Sequence, residues 1–399
     1  MEERERQRQL KSANKKMRRN QAPKKARRKD WLPGQMDIDA LEDAVDVWDD
    51  YETSERVMPR DEGERRRAVE SLAFRQAELL AAAAEADESF DALSDQIGTV
   101  TGRVIEASRG LFRVQVDDRV LVCGLRGSLS AAETGFTNAA AVGDVVRVRE
   151  DGAGGGVIEA VQPRRSLLAR PDVYDSHLQQ IIVANVDQLL IVAAWREPHI
   201  WLELIDRYLV VAARYQLPAV ICINKIDLLE DAAELDAVMR IYRQLGQTLV
   251  ITSTVNGAGI ERLRALLADQ TTVLAGLSGV GKSSLISAVE PGLNLRTSHI
   301  SDKRQEGRHT TTQAVWLPLA LGGAVVDTPG IREFGLSGLY QAELIDFMPD
   351  LRDHAAGCRF NNCLHRDEPD CAVRAAVETG QIALSRYQSY RQILDTLPA

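Results

Sequence analysis

Apolar and polar positions alternate in short runs from Gly98 onward. The segments 99–107, Leu111–Val116, Arg119–Leu125 and Val145–Glu150 each carry a two-residue period, the signature of half-buried strands. Gly110, Asp117-Asp118, Gly143-Asp144 and the glycine-rich stretch 152–156 punctuate them as turns. So many short strands in so short a stretch predict a small β-barrel, of which the OB-fold is a common form. From Asp187 the rhythm changes. Gln188–Ala194, 219–223, 248–252 and 273–275 read as buried strands, and 200–215, 232–245, 260–268 and Lys282–Val289 read as helices between and after them. Strict alternation of this kind predicts a parallel sheet with helices on both faces. From Leu336 the pattern is helical except around a group of cysteines.

The 97 residues before the first strand have a different character. Residues 1–29 hold thirteen Lys/Arg against three Glu and almost no large apolar side chains, which predicts a disordered basic arm. Residues 30–62 are acidic, and 64–88 has the Ala/Glu/Arg content and apolar spacing of one helix. The chain of 399 residues carries a net charge of −9, so the body beyond the arm is more acidic than that total. Nucleic acid would have to be bound by local basic patches or by the arm, not by bulk charge. The basic start lacks a following apolar stretch, and no apolar run is long enough to span a bilayer. The expectation is a cytoplasmic protein without membrane association.

Candidate chemistry sharpens the α/β region. Gly276-Leu277-Ser278-Gly279-Val280-Gly281-Lys282-Ser283, followed by Ser284, fits G-x-x-x-x-G-K-[ST] between an apolar strand and a helix. Glycines there let backbone N–H groups curl around phosphate oxygens. Lys282 would reach the β- and γ-phosphates, and Ser283 would bind Mg²⁺. Asn224-Lys225-Ile226-Asp227 lies at the carboxyl end of a strand, where open α/β sheets bind ligands. A carboxylate at Asp227 can accept both the N1–H and the exocyclic amine of guanine, a donor pair that adenine lacks. Ser253-Thr254, after the next strand, can offer a backbone N–H to the guanine O6. Asp327-Thr-Pro-Gly330 closes another apolar run: Asp327 can hold Mg²⁺ through water, and the Gly330 N–H can meet a γ-phosphate, although the same four residues also make a plain turn. In the polar loop Gly307-Arg-His-Thr-Thr-Thr312, Thr311 can reach Mg²⁺. The residue after Gly330 is Ile331, which cannot orient a water. His309 is the candidate for that role, with an external activator as the alternative. The base reader precedes the phosphate loop here, whereas in ordinary GTPases it follows.

Five cysteines are too few for a disulfide framework, and three of them fall beside a histidine. Cys358, Cys363, His365 and Cys371 form C-x₄-C-x-H-x₅-C, a donor set suited to tetrahedral Zn²⁺ with no open position, and so to a structural ion. Arg352, Arg359, Arg366 and Arg374 lie nearby, equally readable as phosphate contacts or as scattered surface charge. Cys123 is expected inside a strand and His354 at the surface.

These motifs, in this order, resemble the RsgA-type family of circularly permuted GTPases that depend on the small ribosomal subunit. The matched motifs run from residue 224 to 371, and the barrel extends the likeness to about residue 98. The resemblance implies an OB-fold barrel, an α/β P-loop GTPase domain of circularly permuted topology and a mostly helical zinc-binding domain. It also implies binding to the 30S subunit and its 16S rRNA, a role in late 30S maturation, and GTP hydrolysis to GDP triggered by that subunit. The expected division is a 1–97 extension, a 98–165 barrel, a 166–338 GTPase domain and a 339–399 zinc domain, in a monomer holding one zinc and using Mg²⁺ with GTP. Two features depart from the family: Thr254 stands where Ala is usual, and the extension over the first 97 residues is longer than the family core needs, its role not carried by the resemblance. Two other readings stay open: a nucleotide-gated rRNA-binding scaffold with incidental hydrolysis, and a P-loop kinase or ATPase with an accidental N-K-x-D.

Overall fold

A computed structural model describes residues 98–108, 110–127, 129, 136–171, 179–293, 314–327, 336 and 338–398. The basic arm and the helix expected over 64–88 lie outside these, as do His309, Thr311 and Gly330.

Strands β1 (Val100–Ser108), β2 (Leu111–Val116), β3 (Arg119–Leu125), β4 (Val145–Glu150) and β5 (Gly155–Val161) form a closed barrel in the order β1-β2-β3-β5-β4, with β4 returning to β1. This is the OB arrangement. Alternate residues point inward, so Val104, Phe112, Val114, Leu121, Cys123, Val146, Val148 and Ile158 make the barrel core. Cys123 is the buried strand residue expected, whereas His354 is only half-exposed. The glycines at 155 and 156, read as part of a turn, instead begin β5. A Cβ on Gly156 would lie 2.7 Å from the Val148 side chain and 2.8 Å from the Arg149 carbonyl, so the strand needs a residue without one there. A hairpin that the pattern did not announce, β6 (Leu167–Pro171) and β7 (Gln179–Ala184), follows the barrel. Asp144, fully buried, accepts two bonds from Arg164 at 2.7 and 2.8 Å and fixes the chain where it leaves the barrel.

The α/β region places β8 (Gln188–Ala194), β9 (Ala219–Asn224), β10 (Thr248–Ile251), β11 (Thr271–Ala275), β12 (Val315–Pro318) and β13 (Ala324–Asp327) in the order β10-β9-β8-β11-β13-β12. All neighbours are parallel except β12, which runs antiparallel to β13. Because successive side chains leave opposite faces, the strands feed two cores. Leu189, Ile191, Ile221, Ile223, Val273 and Val326 face α1 (Leu202–Arg214) and α2 (Ala232–Gln244). Leu190, Val192, Val220, Cys222, Leu274 and Val325 face α3 (Ile260–Leu267) and α4 (Lys282–Val289). Asp231 starts α2 by accepting the Ala233 N–H at 2.8 Å.

The C-terminal residues form a 3-10 segment (Gln341–Phe347) and helices α5 (Pro349–Ala355), α6 (Ala372–Glu378) and α7 (Leu384–Asp395). Leu344, Met348, Leu351, Val373, Tyr390, Ile393 and Leu394 continue the core on the α1 side. Within it, Arg386 of α7 donates to Asp350 at 2.9 and 2.8 Å and lies 2.7 Å from Asp206 of α1, which also accepts from the Tyr242 hydroxyl at 2.9 Å. Among the described residues, no helix is long and apolar enough to cross a membrane.

Candidate nucleotide and metal sites

Strand β11 is buried along its whole length between β8 and β13 and delivers the chain to Gly276 at the carboxyl edge of the sheet. Gly276 takes φ 137°, and a Cβ there would lie 2.1 Å from the Val192 carbonyl oxygen, so the loop turns back tightly over β8. Gly279 (φ 83°) and Gly281 (φ 96°) continue the curl, and α4 begins at Lys282. The Lys282 ammonium folds over its own loop, donating to the carbonyls of Gly276 at 2.8 Å and Leu277 at 2.7 Å. Leu277 is half-buried, Val280 buried, and Ser278 and Ser284 exposed.

The N-K-x-D segment leaves β9 at the same edge. Asn224 is 1% exposed; its amide donates to the Val280 carbonyl at 2.9 Å, and its Oδ1 accepts from the Thr252 hydroxyl at 3.1 Å. A Cβ on Gly281 would lie 2.4 Å from the Asn224 amide nitrogen, so the two loops touch because that position is glycine. Lys225 adopts φ 60° and donates to the Glu197 carbonyl. Ile226 and Asp227 form a short 3-10 turn, and Asp227 accepts the Ser253 hydroxyl at 2.5 Å. That hydroxyl in turn accepts the Val255 and Asn256 N–H groups at 3.1 and 3.4 Å, which fixes its direction. Thr254 follows on the same half-buried turn.

Thus the fold brings 224–227, 253–254 and 276–284 together. Asp327 ends β13 beside them, paired in register with Leu274 of β11. The residue pattern assigns Ser253 only a backbone contact and carries no signal for Thr252 or the 196–199 loop. A hydroxyl beside a carboxylate 26 positions away has no local pattern to betray it.

The second cluster lies between α5 and α6. The candidate ligand atoms of Cys358, Cys363, His365 and Cys371 all lie within 4.8 Å of one another, and the group could hold a metal ion. Cys358 Sγ is 3.9 Å from Cys371 Sγ and 3.5 Å from His365 Nδ1; His365 Nδ1 is 3.4 Å from Cys371 Sγ. His365 sits at φ 58°, and the Tyr387 and Tyr390 hydroxyls hold the carbonyls of His365 and Leu364 at 2.7 and 3.1 Å. The Glu368 carboxylate accepts the N–H groups of Leu364 at 2.8 Å and Arg366 at 2.7 Å. Burial lowers the His365 pKa and so favours the neutral imidazole, the form that ligates. Burial also raises the Cys363 and Cys371 thiols, a bias that a bound cation would reverse. Of the four nearby arginines, Arg352, Arg359 and Arg366 pair with Asp353, Asp370 and Asp395.

A model of the RsgA GTPase family matches residues 161–337. A curated relative from Moorella thermoacetica, named small ribosomal subunit biogenesis GTPase RsgA, is 43% identical over 293 residues, which are 73% of this chain and 96% of the relative. The chain belongs to the RsgA GTPase family. A Shewanella oneidensis relative of the same name is 38% identical, covering 70% of this chain and 78% of its own length. Among solved structures, YjeQ from Thermotoga maritima matches with a TM-score of 0.58 at 36% identity, over 75% of this chain and 98% of that one. YloQ, titled a circularly permuted GTPase, matches with a TM-score of 0.55 at 27% identity, over 74% and 94%. As an RsgA GTPase the protein is a GTP-hydrolysing enzyme with a circularly permuted G domain. The strand order agrees: the phosphate-loop strand β11 is central in the sheet but fourth of its six strands along the chain.

Proposed function

We propose that this chain is a GTPase of small-subunit biogenesis, binding the 30S particle and its 16S rRNA and hydrolysing GTP when docked there. The observation that carries the nucleotide assignment is the bond from the buried Asn224 amide to the Val280 carbonyl, which makes the base-reading and phosphate loops two walls of one site. On this reading Asp227 receives the guanine N–H groups, with its carboxylate aimed by Ser253, and the Lys225 stem and Ile226 flank the base. The Ser253-Thr254 backbone meets O6. The backbone of 276–281 cradles phosphates, Lys282 swings from its loop carbonyls to the β- and γ-phosphates, and Ser283 and Ser284 begin the helix that caps them. Mg²⁺, once bound, supplies charge for the leaving phosphate. Ser283, Thr311 and Asp327 are its proposed holders, Gly330 offers an N–H to the γ-phosphate, and His309 orients the attacking water.

The metal proposed for the cysteine cluster is one structural zinc. Tetrahedral Zn²⁺ with bonds of about 2.3 Å to sulfur and 2.0–2.1 Å to nitrogen requires ligand separations of about 3.8 Å between sulfurs and about 3.5 Å from sulfur to nitrogen. The separations of 3.9, 3.5 and 3.4 Å fit that geometry. The proposed division into a 1–97 extension, a 98–165 barrel, a 166–338 GTPase domain and a 339–399 zinc domain accompanies this reading, as do a cytoplasmic location and a monomeric state. GTP turnover measured with and without 30S subunits, with ATP as competitor, tests the whole. A large stimulation by 30S and no competition by ATP are expected. Turnover indifferent to 30S favours the scaffold reading, and equal competition by ATP removes the guanine assignment.

A further inference from the structure

The barrel and the α/β sheet share hydrogen bonds. Strand β12 would be the outer edge of the α/β sheet, but β1 of the barrel pairs with it, so eleven strands run on as one sheet. Among the described residues the join is narrow: its register is the single pair Glu106↔Val315, next to an irregularity in β1 between Val104 and Glu106. Val315 is also the residue opposite Asp327 on β13. Glu106 is opposite Arg113 of β2 and forms an ion pair with it at 2.9 Å. One row of register partners therefore leads from Asp327, at the nucleotide edge, through Val315 and Glu106 to Arg113 on the exposed side of the barrel. Beyond it in the same row stands Val122, 52% exposed.

A single backbone pair fixes an angle between two bodies poorly; side chains at the seam must set it. Trp316, next to Val315, packs against the core on the α1 side. The Arg103 guanidinium of β1 lies over its ring, 5.3 Å from the centroid. Arg103 is anchored from the barrel side by donating to the Gly143 carbonyl at 3.0 Å, and the Asn185 amide donates to the same oxygen at 3.1 Å. The charged groups around Arg103 are Arg165, Asp187 and Asp144. Asp187 in turn accepts the Thr271 N–H at 2.8 Å, at the start of the phosphate-loop strand. The Trp316 indole N–H is buried without a hydrogen-bond partner among the described residues, so packing and the guanidinium, not a polar bond, decide where the ring sits.

We propose that Arg103 and Trp316 are positioning residues for GTP hydrolysis: they close the seam between barrel and sheet so that a load on the barrel shifts β12, and with it the Asp327 end of β13. Neither residue touches the nucleotide. The proposal rests on the reading above, in which the small subunit activates turnover and Asp327 serves the Mg²⁺ site. It assigns the barrel a second task besides docking, that of passing the docked state to the phosphates along the strand ladder. A relay of this kind needs the seam to be stiff in the bound complex, which a cation stacked on a wedged ring provides.

The test compares Arg103→Ala and Trp316→Ala with the conservative Trp316→Phe in the full chain, measuring 30S-stimulated kcat, KM for GTP, and 30S cosedimentation. The expected result is a fall of about tenfold in stimulated kcat for both alanine variants, with KM and 30S affinity within about twofold of the parent, and recovery of most of the rate by Trp316→Phe. Hydrogen exchange supplies a second readout: in the parent, exchange of the β1 amides should differ between GDP and a non-hydrolysable GTP analogue, and in Arg103→Ala that difference should vanish while the β1 amides keep the parent's protection in GDP, which loss of folding would remove. Stimulated kcat within about twofold of the parent in both variants overturns the proposal. So does a rate loss explained wholly by weaker 30S binding, because the seam would then merely shape the docking surface. A parent that 30S does not stimulate refutes the functional reading itself, and the proposal with it; a stimulated parent with unchanged variants refutes the relay alone.

Discussion

Replacing Arg386 by Met should loosen the C-terminal unit from the nucleotide domain in a pH-dependent way. The guanidinium serves two carboxylates at once, with two bonds to Asp350 and a 2.7 Å contact to Asp206. The Asp350 side chain is 16% exposed and can rehydrate in part, whereas that of Asp206 is 1% exposed and cannot. Most of the loss therefore falls on Asp206, and removing one partner of such a buried pair costs about 3–5 kcal/mol near neutral pH. Burial already raises the Asp206 pKa, opposed first by Arg386 and then by Ser389 and Tyr242. Without Arg386 the pKa rises further. A carboxyl whose folded pKa exceeds its unfolded value costs nothing while both states are protonated. It costs stability as pH climbs through the interval between the two values, because there only the unfolded state has released the proton. The parent loses stability in the same way up to its own raised pKa, so the variant should differ least from the parent in acid, its deficit growing by about 1.4 kcal/mol per pH unit only between the Asp206 pKa of the folded parent and the higher one of the folded variant. Urea unfolding of parent and variant at about pH 5.5 and about pH 7.5 gives the comparison, and other titrating groups largely cancel in the difference. Arg386→Met with Asp206→Asn removes the stranded charge and should recover more than half of the deficit at the higher pH. An equal deficit at both pH values, or a double variant no better than the single one, would refute the reasoning.

Other outcomes follow from the same geometry. Asp227→Asn replaces one of two acceptors by a donor, so GTP should bind at least about tenfold more weakly while xanthosine triphosphate, with a carbonyl at that edge, gains affinity; equilibrium titration with both nucleotides decides. Metal analysis should find one zinc per chain, and chelation should expose the amides of residues 358–371 to hydrogen exchange; zinc-free protein with those amides still protected would rule out the site. His309→Ala should keep nucleotide and 30S binding but lose about a hundredfold of stimulated turnover, as positioned proton-handling groups do. A loss of only a few-fold would pass the water-orienting role to the activator.

Local order was legible where a residue's neighbours along the chain carry the signal. The alternation in β1 to β4, the βα rhythm from Gln188, the glycine-rich segment 276–283 and the Cys₃His spacing are short-range patterns, and the strands, the strand–loop–helix at 271–289 and the four-residue cluster appear where the sequence puts them. Strand β5 was hidden because it opens with two glycines that offer no side-chain pattern. The β6–β7 hairpin and β12 were hidden because their partners, not their composition, make them strands. The residue types of the candidate nucleotide site were readable, but their mutual support was not. Asn224 meets Val280 across 56 positions, and Ser253 aims Asp227 across 26, through loops that converge only once β9, β10 and β11 take their places in one sheet. The same holds for the widest separations: Arg386 reaches Asp206 through the packing of α7 on α1, and Glu106 meets Val315 because a barrel strand pairs with the β12 edge of the α/β sheet. The sequence by itself determined which segments could be strands, helices, phosphate loop and metal knuckle, because those depend on local periodicity and side-chain chemistry. Which loops face each other, which charges are sealed together and how barrel meets sheet were decided by tertiary structure alone, since hydrogen bonds and buried ion pairs form between whatever groups the strand order makes neighbours.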